Sequence, residues 1–430
     1  MRSNRPIILI ILDAFRWDYL NPIDAPFLWN CAQHGLYARK LVTTSGFTQR
    51  SALFCGTFPD KSGNFTMFCY DPIHSPFRFL RKYSPVLWLA ERIINKKIRG
   101  AYRLNLWLRQ KYIYQHAQKY AVHPSTAEIP LYLLPLISIT EDQKYINKPG
   151  SFKVESIFDV FHRVGISYLY LMFPVVNCQD DEVYERTINH IESGKNTIDV
   201  YFLQFSDTDF YMHKYGTESI LRRKVVGEID RKIRDIWDVA NRERGGATLV
   251  IVGDHGMMDV KEYFDVATIV QQEAKAVRLK HSQDYFLFLD STFARIWKLK
   301  NNSAVREFIK RIESRPEMLD RGKFLSLQLA KKYRIPYPDR KYGDLIWWAS
   351  PGVLIYPDYF HGGWERCKAM HGYESTYDRM KGMAIIYGKP VTKRFIEEAH
   401  LIDICPTLCD FLGVPSPRSN EGVSLLNSKR

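Results

Sequence analysis

Five short apolar runs punctuate the chain, at residues 7–12, 168–173, 200–205, 248–252 and 384–387. Four of them end at a polar residue or a glycine. Between them lie stretches with helical periodicity, such as 156–164, 183–192 and 219–241. Continuous β-branched runs of this length read as strands buried on both faces. Their alternation with amphipathic helices predicts an α/β fold, a mostly parallel central sheet with helices on both faces. In such sheets ligands bind beyond the carboxyl ends of the strands, so the residues after each run are the ones to inspect.

Two stretches break the rhythm. Residues 65–149 are rich in aromatic and basic side chains. Residues 273–370 mix a strand-like 285–289, a charged helix-like 304–314 and a Trp- and Tyr-rich run at 346–359. Both read as insertions, the second as a cap over the site. The core is then assigned to 1–64, 150–272 and 371–430.

The run at 7–12 follows Arg2 and Arg5 but stops at Asp13 with no small-residue cleavage site. It is too short for a membrane span, so it reads as a strand, and the expectation is a cytoplasmic protein. Seven cysteines without a CxxC fit reduced, buried thiols better than a thiolate metal site or a disulfide framework. A hydrophobic fraction of 46% with 25% charged residues is that of a globular chain.

Asp13 follows the first run. Asp207 and Asp209 follow the third, with His213 four residues after Asp209. Asp254 and His255 follow the fourth, and His371 precedes the fifth. An Asp after a strand is more often a helix cap than a ligand. Carboxylates and imidazoles at four separate strand ends are another matter. They suit hard-to-borderline divalent ions, and three His among six ligands favour zinc, with manganese as the alternative. Two such ions can clamp the attacking and leaving oxygens of a phosphoryl displacement.

With these residues the sequence resembles the alkaline phosphatase superfamily, and within it the nucleotide pyrophosphatase/phosphodiesterase branch. The segments IILIILDAFRWDYL, GFTQRSALFCGTFPDKSGN, SDTDFYMHKYG, VIVGDHGMMDV and MHGYESTYDRMKGMAIIYG occur in the family order. LIDICPTLCDFLGVPSPRSNEGVSLL looks like the terminal segment shared with sulfatases. The resemblance spans roughly 6–64, 150–265 and 370–426, and implies an alkaline-phosphatase-like fold. It also implies one metal on Asp209, His213 and His371, the other on Asp13, Asp254 and His255. The chemistry implied is hydrolysis of a phosphodiester through a hydroxyl nucleophile and a covalent phospho-enzyme.

The nucleophile is where this chain departs from the family. Counting back from Gly56, the family position falls on Gly46. Thr48, opening the apolar helix-like run, is the first candidate and Ser45 the second; failing both, water attacks directly. Arg50 is a candidate phosphate ligand, as in sulfatases, and Asn64 a further substrate contact. Phe210, Tyr211, Tyr215 and Tyr373 are candidates to stack on a base or line a lipid or sugar pocket. A sulfatase, a phosphoryl-group transferase passing a head group to a glycan or lipid, and an inactive phospholigand-binding relative are the competing readings. The single Asp after the first strand and the three His argue against a sulfatase.

Charge adds one local feature. Lys plus Arg number 61 against 47 acids, a net +14. Eleven basic residues lie between Arg78 and Lys119, against the single acid Glu91. Trp88, Leu89, Ile93, Ile94, Leu104, Trp107 and Leu108 alternate with them. A basic amphipathic segment with Trp suggests contact with an anionic membrane or glycan. No motif supports sequence-specific nucleic-acid binding.

Overall fold

The structure is a computed structural model that describes residues 5–93, 99–117, 128–140, 146–176, 179–194, 198–361 and 366–427. Arg2, Ile94 and Lys119, singled out above, lie outside the described residues, as do the basic Lys96 and Lys97 and one of the seven cysteines, Cys178. The run at 7–12 forms the strand Ile7–Leu12, buried along its whole length. It lies inside a seven-stranded sheet ordered Arg394–His400, Leu36–Val42, Gly382–Tyr387, Thr248–Gly253, Ile7–Leu12, Val200–Phe205, Tyr168–Leu171. The pairs of Ile7–Leu12 with both neighbours are parallel, as are the two outermost pairs. Only Gly382–Tyr387 runs antiparallel to its partners.

Side chains of a strand alternate between faces, and the two cores follow from that. Ile7, Leu9 and Ile11 join one core with Phe54, Phe158, Phe161 and Leu408, from the helices Arg50–Cys55, Ile157–Val164 and Ile404–Leu412. Ile8, Ile10 and Leu12 join the other with Leu28, Val183, Ile191 and Ile233, from Pro26–His34, Asp180–Ser193 and Leu221–Arg244. Each buried aliphatic side chain contributes roughly 1.5–3 kcal/mol. The helix Ile157–Val164 starts where the sequence dictates: Ser156 and Asp159 form a capping box, and Gly165 ends it in the left-handed region.

Five of the seven strands coincide with the apolar runs. Leu36–Val42 and Arg394–His400 do not, because their charged positions hide the pattern. Glu397 and Glu398 on the outer strand are exposed, and Arg39 faces Glu397 at 3.3 Å across the pair. Charge on an edge strand blocks further pairing.

The 273–370 stretch carries a four-stranded antiparallel sheet, ordered Tyr285–Asp290, Phe293–Lys298, Leu345–Ala349, Gly322–Phe324. The 65–149 stretch contributes the strand pair Phe68–Tyr70 and Ile137–Ile139 and the helices Ser84–Ile93 and Arg99–Tyr112. The two stretches share a core in which Phe68, Phe77 and Ile113 pack with Phe286, Phe288 and Trp297. Among the described residues no helix is long and apolar enough to cross a membrane.

Candidate active site

Strand register assembles the site. Leu12 pairs with Phe205 on one side and Gly253 on the other. The three strands therefore end level, and the residues that follow emerge side by side. Asp13 donates its N–H to the Phe205 carbonyl at 2.9 Å. Ala14, at φ 55°, turns the chain away and donates its N–H to Asp254 Oδ1 at 3.3 Å. The helix Asp207–Tyr215 begins at the same edge and carries Asp209 and His213 one turn apart on one face. His371 follows the short strand Ala369–Met370, which pairs with Met258–Asp259 beyond the Asp254–His255 turn.

The six sequence-predicted ligands line one cavity of about 1020 Å³. His213 Nε2 lies 3.2 Å and His371 Nε2 3.8 Å from Asp209 Oδ1. His255 Nε2 lies 3.1 Å from Asp13 Oδ1 and 3.9 Å from Asp254 Oδ1. The rings of His255 and His371 stack with centroids 4.2 Å apart, joining the two groups. Donor atoms of Asp13, Asp254 and His255 all fall within 4.8 Å of one another. So do those of Asp209, His255 and His371, and those of His213, His361 and Cys367. His255 and His213 thus stand between groups, where the resemblance gives each to one ion.

Electrostatics and unpaired atoms fit a cationic occupant. Burial pushes Asp254 up to about 7; His255 opposes that rise, and the charge of Asp13 adds to it. Burial works against charge on Asp209 too, yet His213, His371 and His255 hold its carboxyl below the usual range. Burial also lowers the His371 imidazole, and His255 adds to that, which favours its neutral, metal-binding form. Asp209 Oδ1 and His371 Nδ1 are buried without a hydrogen bond. Buried polar atoms without partners are rare in folded proteins. A divalent ion satisfies such atoms and relieves the crowding of carboxylates.

Outer contacts orient the ring nitrogens. His213 Nδ1 faces the Ala369 carbonyl at 2.8 Å and Cys367 Sγ at 3.0 Å, and His255 Nδ1 faces the Gly256 carbonyl at 3.0 Å. Donation from Nδ1 to a carbonyl leaves the Nε2 lone pair for a metal. Gln204 Nε2 donates to Asp13 Oδ2 at 2.9 Å. Sequence reasoning missed Gln204, although one amide inside an otherwise apolar strand was a signal. It also missed His361, which lines the cavity and is held through Nδ1 by the buried Asp358 at 2.7 Å. Asp180 went unnoticed as well. Its Oδ1 receives the Ser206 N–H at 2.6 Å, and burial, reinforced by Asp207, pushes it up to about 7.

The remaining candidates divide. Arg50 lines the cavity, its guanidinium 5.4 Å from the centre of the Phe173 ring. Phe47 and Gln49 line it too, but Thr48 between them does not. Thr48 is 4% exposed, and its Oγ1 is buried without a hydrogen bond. The helix starts at Arg50, one residue later than a capping Thr48 requires, with Gln49 at the cap position. Ser45 is equally buried, its Oγ 3.4 Å from Ser375 Oγ, and Asn64 is buried with its N–H on Ser62 Oγ; neither lines the cavity. Gly46 has φ 101°, and a β-carbon there meets the Phe65 carbonyl oxygen at 2.0 Å. Phe210 and Tyr211 line the cavity, and Tyr215 stacks on Tyr211. Tyr373 is core, its hydroxyl on the Val353 carbonyl.

Comparison with known proteins identifies the family and the fold. Residues 7–374 match the family model described as type I phosphodiesterase / nucleotide pyrophosphatase. The curated bis(5'-adenosyl)-triphosphatase ENPP4 of Pongo abelii is 20% identical over 441 residues, covering 97% of this chain and 79% of that protein. Ectonucleotide pyrophosphatase/phosphodiesterase family member 5 of Homo sapiens is also 20% identical, covering 97% of this chain and 76% of its own length. The solved structure of murine ectonucleotide pyrophosphatase / phosphodiesterase 5 superposes with a TM-score of 0.69 at 15% identity, covering 99% of both chains. An inactive form of that murine protein in complex with AMP matches with a TM-score of 0.66 at 15% identity, over 96% of each chain. The expected α/β fold, with its mainly parallel sheet, is shared with these structures.

Proposed function

Because the chain belongs to the type I phosphodiesterase / nucleotide pyrophosphatase family, and so to the metal-dependent phosphodiester hydrolases of the alkaline phosphatase superfamily, we propose a specific reaction for it. The substrate is a nucleotide-bearing phosphodiester or pyrophosphate, cleaved in the cavity at the strand ends. The observation that carries this reading is the convergence of Asp13, Asp209, His213, Asp254, His255 and His371 on one cavity.

Two divalent cations fit these donors, one on Asp209, His213 and His371, the other on Asp13, Asp254 and His255. Three imidazoles favour zinc over manganese. When bound, such ions polarise the phosphoryl oxygens and offset charge on the leaving group. Arg50, which lines the same cavity, binds a non-bridging phosphate oxygen, with its guanidinium over the Phe173 ring. Phe210 and Tyr211 offer a base or other flat group a platform.

Neither candidate hydroxyl lines the cavity, which supports direct attack by water. A P–O bond forms from water as the bond to the leaving oxygen breaks, giving a phosphomonoester and an alcohol, or two phosphates from a pyrophosphate. No phospho-enzyme accumulates on this route.

The deciding assay uses purified protein on bis(p-nitrophenyl) phosphate and on a dinucleotide, with zinc or manganese, beside Asp209→Ala. Metal-dependent cleavage by wild type alone is expected. Equal rates for the two proteins sink the proposal.

A further inference from the structure

Eight of the nineteen large hydrophobic side chains exposed among the described residues fall between positions 79 and 112. The described residues in that window belong mainly to the helices Ser84–Ile93 and Arg99–Tyr112. Val86, Trp88 and Leu89 are exposed on the first; Leu104, Trp107 and Tyr112 on the second. Eight of nineteen in so short a stretch is more than the scatter every protein shows.

The second helix cannot turn this face inward. Asn105, Arg109 and Ile113 follow at intervals of four and are buried, so they form one inner stripe. At 100° per residue Leu104, Trp107 and Lys111 project from the opposite side. Arg109 fixes this orientation. Its guanidinium bonds Glu91 Oε1 at 2.9 Å, the Ile129 carbonyl at 2.8 Å and Asn105 Oδ1 at 3.0 Å. Glu91 Oε1 also accepts the Leu131 N–H at 2.9 Å. Rotating the helix strips a buried ion pair of its partners, which is strongly unfavourable.

The charges that residues 78–119 themselves contribute are almost all basic. Arg78, Arg81, Lys82, Arg103 and Lys111 are exposed, while Glu91, the only acid from 78 to 119, is used up on Arg109 inside. Lys111 Nζ lies 4.8 Å from the centre of the Trp107 ring, so cation and indole share one surface. An apolar protein partner explains the Trp and Leu side chains but not the cations. A nucleic acid explains the cations but not Val86, Leu89 and Leu104. An anionic lipid interface takes both, with indoles at the headgroup level and lysine and arginine on the headgroups.

We propose that the helices Ser84–Ile93 and Arg99–Tyr112 dock this enzyme peripherally on an anionic lipid bilayer, with Trp88 and Trp107 entering the interface and Arg103 and Lys111 binding headgroups. The surface is continuous with the catalytic unit: Met67 and Phe360 pack on the insertion's core and also line the cavity. This goes beyond the proposed reaction and does not depend on it.

The test is flotation of the full-length protein with phosphatidylcholine vesicles, with and without phosphatidylglycerol, at low and high salt. Wild type is expected to float with the anionic vesicles, weakly or not at all with the neutral ones, and less at high salt. Arg103→Gln with Lys111→Gln is expected to lower partitioning by roughly 25-fold, taking about fivefold for each cation. Trp88→Ala with Trp107→Ala, at side chains 43% and 49% exposed, is expected to lose most of the binding and keep a cooperative melting transition. Equal flotation on both lipids, equal flotation of wild type and variants, or retention on a soluble polyanion without flotation each overturns the proposal.

Discussion

Gly46 and Phe65 are in contact so close that no side chain fits between them: a β-carbon on Gly46 stands 2.0 Å from the Phe65 carbonyl oxygen and 2.7 Å from its ring. The Phe47 N–H donates to that carbonyl at 2.9 Å, so the carbonyl is held in place. The position that the resemblance assigns to the nucleophile is closed by the Phe65 backbone and ring, not merely lacking a hydroxyl. Gly46→Thr is therefore expected to destabilise the fold by about 2 kcal/mol or more, from left-handed backbone and overpacking together. It is expected to give no gain in turnover. Denaturant unfolding and steady-state rates check this; a stable, faster Gly46→Thr contradicts it.

Direct attack by water makes a second expectation. Thr48→Ala and Ser45→Ala should each keep at least a third of wild-type turnover, since neither hydroxyl lines the cavity. Acid quenching during turnover of a phosphorus-labelled diester should leave no label on the protein. A thousandfold loss in Thr48→Ala, or a stoichiometric labelled enzyme, restores the covalent route.

Metal dependence follows from the donor set. Chelation should abolish activity, and zinc or manganese should restore it. Asp209→Ala is expected to lose roughly a hundredfold or more in kcat/KM and to bind fewer equivalents of metal, since Asp209 adjoins both His213 and His371. Cys367→Ala, which removes the thiol contacts to His213 Nδ1 and the Ala369 carbonyl, should weaken metal binding by roughly tenfold. Metal analysis after dialysis reads both effects without an assay.

His281 should shape stability in mild acid. Burial pushes its imidazole down to about 4, with Nε2 accepting the Leu287 N–H at 3.1 Å. The unfolded chain takes up a proton near pH 6.5, and the folded chain does not until about pH 4. The stability is full above pH 6.5 and is lost as the pH falls from there to 4, by on the order of 2 to 3 kcal/mol. His281→Gln, which keeps an acceptor, should flatten this part of the curve. Identical pH–stability profiles for the two proteins contradict the assignment.

The legible part of the site was its candidate ligands. Asp13, Asp254 and the Asp209–His213 pair each follow an apolar run, and a parallel sheet delivers such residues to one edge. Gln204, His361 and Asp358 were not legible because each takes its meaning from a partner far away in sequence. Thr48 shows the same limit: its position before a helix is visible in the sequence, but which way its hydroxyl points depends on packing. The edge strand Arg394–His400 and its neighbour Leu36–Val42 escaped notice because their charged positions mask the apolar alternation.

The sequence by itself determined the α/β class, the buried strands and the six metal-ligand candidates, because hydrophobic periodicity and residue chemistry are local properties. The tertiary structure alone decided which of these residues share a cavity, that no candidate hydroxyl reaches it, and that the basic insertion keeps Trp107 outside by locking Arg109 onto Glu91. Those outcomes depend on register, on backbone contacts such as Gly46 against Phe65, and on buried ion pairs. Each is a relation between distant segments that neither segment encodes alone.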